Sequence, residues 1–183
     1  MKILVVDAAN LTMHYTVPFC NSLIKKGYSV TLICSSNDIS LGYDLDFFSF
    51  FYERKNLFVR KALKGINYII GVLKTIYHIK KCKYDIVHFQ ISPLPILDFL
   101  LIKLIKKDVR IGATIHNTTP FHGSRGHRVQ SIGFKKLLSE YNFLICHTLY
   151  SSNILKNDFK ILSKRIYKSD HPLFNKTKDL VLK

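Results

Sequence analysis

The chain has 183 residues, 48% of them apolar, and its 28 Lys and Arg against 12 Asp and Glu give a formal charge of +16. That length suits one well-packed domain and is short for two, and the apolar share excludes a disordered chain. No apolar run approaches the roughly 20 residues of a spanning helix, and the positive excess, which no fold requires, points to an anionic partner such as phospholipid or a phosphorylated substrate.

The opening KILVVD reads as a buried strand over residues 2–7; an acid follows the apolar run directly and no small-residue cleavage site is present, which argues against a signal peptide and for a cytoplasmic protein. A helix is expected from about residue 17, with Pro18 in its first turn, Cys20, Leu23 and Ile24 facing inward, and Gly27 ending it after Lys25 and Lys26. Residues 29–34 supply a second strand and complete a right-handed β-α-β unit. A polar loop over 35–46 then leads to the aromatic run 47–52, expected to hold a short third strand.

Residues 54–83 contain nine Lys or Arg and no acid. Val59, Ala62, Leu63, Ile66, Ile69, Ile70, Leu73, Ile76 and Tyr77 follow helical spacing, while Arg60, Lys61, Lys64, Lys74 and Lys81 fall largely on the other face, so a basic amphipathic helix is predicted. Two readings stand. In one, the apolar face packs on the sheet and the lysines are solvated; in the other, the basic face or the preceding aromatic run also meets an anionic membrane.

The remaining elements alternate. A strand is expected at 84–90, a helix opened by Pro93 and Pro95 and running to Lys107, and a strand at 109–116. A long loop over 117–128 carries His122, Gly123, Arg125, Gly126, His127 and Arg128; after it come a short helix at 130–141, a strand at 143–147 and a helix at 151–158. Residues 1–172 are expected to form the domain and 173–183, polar and lysine-rich, a linker or tail.

Strand-helix alternation of this kind predicts an α/β fold with a doubly wound parallel sheet, Rossmann-like, whose strand tips gather at the carboxyl edge where such folds bind ligands. The tips carry Asn10 and Thr12, then His88 and Gln90, His116 and Asn117, and His147 and Thr148. His88 and Gln90 share one strand face. Asp7, at a strand end, reads as structural. The first turn, 7–12, has no glycine, which excludes a dinucleotide-binding turn, and no P-loop is present. Cys20, Cys34, Cys82 and Cys146 lack metal-ligand spacing and read as reduced thiols, so no metal is expected. Arg125, His127 and Arg128 either clamp an anionic group such as a diphosphate or form a solvated loop. The lysines lie on one helix with no aromatic-lined groove, so nucleic acid is not an expected partner.

Taken in order, MKILVVD, LIKKGYSVTLICSS, YDIVHFQ, ATIHNT, NFLICHTLYSSNIL and RIYKSDHPLF make the chain resemble the N-terminal domain of a GT-B glycosyltransferase of the retaining family 4 type. YDIVHFQ is similar to the family's D-I-V-H-x-H strand, and ATIHNT to its T-x-H-D/N tip. The resemblance covers nearly the whole chain and implies the N-terminal half of a GT-B fold that binds the acceptor, while a C-terminal domain binds the nucleotide sugar, a substrate and not a cofactor. That second domain is expected in cis or in trans, either because the chain is one domain of a longer enzyme or because it is the acceptor-side, membrane-recruiting half of a split one. His116 matches the family histidine that lines the cleft near the transferred sugar, and Asn117 its polar neighbour. Asn10 and Thr12 stand where the family has paired glycines near the donor phosphates, a departure that weakens phosphate contact through backbone N–H groups. The implied acceptor is a glycan or lipid-linked sugar in surface polysaccharide or glycolipid synthesis, met at the inner face of the cell membrane. No catalytic base is singled out.

Overall fold

A computed structural model of the chain describes residues 1–35, 46–50, 57–118 and 131–170. Seven parallel strands form one sheet in the order β3-β2-β1-β4-β5-β6-β7. They are β1 (Lys2–Asp7), β2 (Ser29–Cys34), β3 (Asp46–Ser49), β4 (Ile86–Ile91), β5 (Arg110–Ile115), β6 (Phe143–Cys146) and β7 (Ile166–Lys168). Between them run α1 (Met13–Lys25), α2 (Leu57–Cys82), α3 (Pro95–Ile105), α4 (Phe134–Glu140) and α5 (Leu149–Asn157). The expected doubly wound sheet is present, with a short edge strand, β7, that the sequence reading did not anticipate. The loop bearing Arg125, His127 and Arg128 and the tail 173–183 lie outside the described residues.

Helices cover both faces because alternate residues of β1 and β2 are apolar in both directions. Ile3, Val5, Val30, Leu32 and Cys34 pack with Cys20 under α1, and Leu4, Val6 and Ile33 join Val72 of α2, Leu101 and Ile102 of α3 and Leu137 of α4 on the opposite face. Between α3 and α4, Lys103 and Lys106 hold Glu140 at 2.9 and 2.8 Å. The guanidinium of Arg165 donates to the carbonyls of Ser139 at 2.9 Å and of Tyr141, which satisfies carbonyls left open where α4 ends.

Two expectations need correction. The first helix begins at Met13, not near residue 17, and Pro18 lies inside it. Thr12 and Thr16, one turn apart, both donate to the Asp7 carboxylate, at 2.9 and 2.8 Å, and this anchor holds the added turn ahead of the proline. The second concerns α2, which does place Tyr68, Val72, Thr75 and Ile79 against the core. Ile66, Ile70, Leu73 and Tyr77, however, assigned to the packed face, point away from it and are 44 to 68% exposed. At about 100° per residue these two sets lie on opposite sides of the helix. The helix is apolar on both sides, and Thr75 and Tyr68, which look half-polar in sequence, are inward because each finds a buried hydrogen bond, to the Gly71 carbonyl at 2.8 Å and the Asp98 carboxyl at 2.6 Å. Lys74 and Lys81 are exposed as expected; at Arg60, Lys61 and Lys64 only the course of the helix is described.

Candidate functional site

The carboxyl edge of the sheet is built around the β1–α1 turn. Asp7 is fully buried, and burial pushes its carboxyl up while the Thr16 and Thr12 hydroxyls pull it back. In the turn itself Asn10 takes a left-handed conformation, φ 53°, which asparagine tolerates better than most side chains. Its Oδ1 accepts from the Ser35 N–H at 3.0 Å and ties the turn to the end of β2. Asn10 and Thr12, singled out as ligand contacts, thus use these oxygens to frame the turn.

His88 is also committed inward. Only 2% exposed, it lies between Phe19 of α1 and Phe143 of β6, with ring centroids 5.0 and 5.9 Å away, and its Nε2 is hydrogen-bonded to the Thr114 hydroxyl at 2.8 Å. Burial, with a smaller push from His116, lowers its pKa to about 3, so the ring is neutral at physiological pH. His88 lies in the floor beneath the strand tips, closed over by Phe19 and Phe143.

Above that floor the structure brings four polar side chains together. His116, at the end of β5, donates from Nε2 to Gln90 Oε1 at 3.4 Å. Gln90 is fully buried, and its amide nitrogen has no hydrogen-bond partner among the described residues, so a donor stands unspent beneath His116. Tyr15 of α1 sits edge-on to His116 at 4.9 Å and to His147 of the β6 tip at 5.0 Å; the two imidazoles are 5.5 Å apart. His147 donates from Nδ1 to the Ser169 carbonyl at 2.9 Å. Asn117 is exposed beside His116. Thr148, by contrast, caps α5 by accepting from the Ser151 N–H at 3.0 Å.

Tyr15 is the member the sequence reading missed. A helix expected only from about residue 17 leaves Tyr15 unassigned; the Thr12–Thr16 spacing, i and i+4 like a helical face, is the available signal. The assembled group offers aromatic edges, two imidazoles, an amide donor and an exposed amide, a set suited to holding and orienting hydroxyl groups of a sugar. Among the described residues no cluster of His, Cys, Asp or Glu is arranged to hold a metal ion.

The family model for Glycosyltransferase Family 4 matches residues 14–167, which spans α1 through β7. The chain belongs to glycosyltransferase family 4. Solved structures agree on the fold of this family 4 domain. A glycosyltransferase from Rickettsia africae ESF-5 superposes with a TM-score of 0.59 at 19% identity, covering 92% of this chain and 42% of that one. The UDP-N-acetylglucosamine 2-epimerase of Rickettsia bellii gives 0.65 at 12% identity, with 93% of this chain and 45% of that one covered. The lipopolysaccharide outer core galactosyltransferase WaaB gives 0.57 at 13%, covering 91% and 44%. The family 4 domain therefore spans less than half the length of each, and its likeness is to the Rossmann-like N-terminal domain of the GT-B type. Curated protein sequences include no match to it.

Proposed function

We propose that this family 4 domain is the acceptor-binding half of a nucleotide-sugar-dependent glycosyltransferase that works on the cytoplasmic face of a membrane in surface polysaccharide or glycolipid synthesis. The convergence of Tyr15, Gln90, His116 and His147 at the carboxyl edge carries the reading, together with membership of the family. In the transfer, the bond from the anomeric carbon to the donor phosphate breaks, a bond to the acceptor oxygen forms, and the acceptor hydroxyl loses its proton. The donor domain, in cis or in trans, holds the nucleotide sugar. This domain's task is to fix the acceptor hydroxyl against the anomeric carbon, where correct placement alone is worth orders of magnitude in rate. His116 and Asn117 line the reacting end, with Gln90 and His147 behind them. Asn10, Thr12 and His88 hold the frame, and Arg125 and Arg128 supply cations, with His127 beside them, for an anionic acceptor. The exposed Lys74 and Lys81 hold the protein near anionic lipid, with Arg60, Lys61 and Lys64 extending the same charge.

The test is transfer from a panel of radiolabelled nucleotide sugars to membrane-extracted acceptors by the full-length protein. His116→Ala is expected to lower kcat by about a hundredfold with the fold intact, the scale of losing one positioned group at a reaction centre. Wild-type rates in that variant would remove His116 from the site; no transfer from any donor by the wild-type protein would sink the enzymatic reading.

A further inference from the structure

The outward sides of α2 and α3 carry a feature that attraction by lysines alone leaves unused. Leu73 and Tyr77 of α2 are 60 and 68% exposed, and α3 repeats the pattern one turn at a time with Ile96, Leu100 and Leu104 at 40, 53 and 58%. The two helices are neighbours, joined by the Tyr68–Asp98 hydrogen bond, so their stripes form one surface on the side away from the sheet. Isolated exposed apolar residues are ordinary, whereas two parallel rows on adjacent helices are not.

We infer that this surface inserts into the interface of an anionic bilayer, with its apolar rows below the headgroups and its lysines among them. The inference rests on the membrane reading above and deepens it. Charge argues for lipid as the occupant. Lys74, Lys80 and Lys81 are exposed on α2, Lys103 on α3, where it also pairs with Glu140, and Lys107 in the turn after α3, and the only acids between residues 57 and 107 are Asp98, which is buried, and Asp85, which precedes β4 outside both helices. A second copy of the chain would bring lysines against lysines, a repulsive arrangement. The Lys81 ammonium lies 5.9 Å from the Tyr77 ring centroid and that of Lys103 5.3 Å from Phe99, so charged tips and aromatic bodies sit side by side as they do at a lipid–water boundary.

The geometry then fixes an orientation. Because α2 and α3 form a layer over one face of the sheet, seating that layer on lipid lays the sheet flat along the membrane. The strand tips, with Tyr15, His116 and His147, open sideways at the level of the headgroups, within reach of a sugar on a lipid-linked acceptor.

The experiment is co-sedimentation of the full-length protein with vesicles of phosphatidylglycerol and phosphatidylcholine, at low salt and at about 0.5 M sodium chloride, where charge attraction reaches only a few ångströms. Wild type is expected to stay bound in high salt. The double variant Leu73→Glu/Leu100→Glu should lose binding by at least about tenfold in both conditions, since each leucine gives up its apolar burial. Lys74→Ala/Lys81→Ala should weaken binding only at low salt. In a second measurement, an environment-sensitive dye on Leu73→Cys should shift blue on the vesicles and the same dye on Ser22→Cys, on the α1 side of the sheet, should not. Wild-type binding by the glutamate variant, with salt releasing both proteins, overturns insertion and leaves electrostatic attachment standing. A wild type that ignores vesicles overturns both. A dimer that the glutamate variant dissociates, without vesicle binding, assigns the surface to a second copy and overturns the inference.

Discussion

His88 of β4, facing α1, and Asp98 of α3 are buried on opposite faces of the sheet, and they pull stability in opposite directions as pH changes. His88 stays neutral in the folded chain down to about pH 3, while its ordinary value is 6.5. Between those values acid protonates only the unfolded chain, so this contribution is complete above pH 6.5 and drains as pH falls toward 3. Asp98 is held up to about 7 from 3.8, mainly by burial, with the Tyr68 hydroxyl opposing the shift. Folded protein keeps that proton when unfolded protein has lost it, so its contribution is complete below pH 3.8 and is lost as pH rises through 7. Calorimetric melting temperatures should therefore fall less steeply from pH 6 to pH 4 in His88→Gln than in wild type. Asp98→Asn should gain on wild type as pH rises from 5 to 8. A parallel shift of either curve, with no change in slope, would remove the titration from the argument.

Among the elements, β5 and β6 depend on one small residue. Gly112 lies opposite Phe143 in their register, and a Cβ built on Gly112 would fall inside the Phe143 ring. Phe143 in turn stacks on His88, so the ring cannot swing away without disturbing the floor of the site. Gly112→Ala is expected to cost roughly 1–3 kcal/mol by urea denaturation, the range for overpacking a close-packed site. Gly112→Ala/Phe143→Leu should recover part of that loss; an equal loss in both variants would place its origin elsewhere.

The strands were legible in the sequence because each is a short apolar run bounded by turn residues, and β1 and β2 occupy the anticipated residues. Edges blurred where tertiary partners decide. Pro18 has the sequence context of a first-turn proline, yet Asp7 recruits both threonines and α1 starts a turn earlier, and β7 is a three-residue edge whose lysine and tyrosine give no apolar run. The faces of α2 were illegible in principle: with apolar residues on two sides, only a buried partner for Tyr68 and Thr75 selects which side meets the sheet. At the site, position on the strand tips pointed to Gln90, His116 and His147, but whether a tip side chain faces outward or, like His88, is roofed by Phe19 depends on α1, a helix distant in the chain that packs directly against it.

For the molecule as a whole, charge and fold are separable. The core is an ordinary doubly wound sheet whose lysines are peripheral to its packing, so sodium chloride at about 0.5 M should leave the melting temperature nearly unchanged. No helix among the described residues is long and apolar enough to cross a membrane. A fragment of residues 1–50 should show no cooperative melting transition by circular dichroism, because β1 and β2 together leave one face of the sheet without α2 and α3. A sharp transition in that fragment would show the amino-terminal unit to be self-sufficient.

The strand order has one further consequence, and it concerns time. β1 leaves the ribosome before both of its sheet neighbours and sits inside the sheet, and the neighbour on its open side, β4, begins only at Ile86. Until that segment emerges, Leu4 and Val6 have no complete core to enter, and the nascent chain exposes an unpaired, strongly apolar strand edge. Synthesis therefore passes through an interval in which proteases and chaperones compete for the amino-terminal half, and the pace of translation across α2 sets how long that competition lasts.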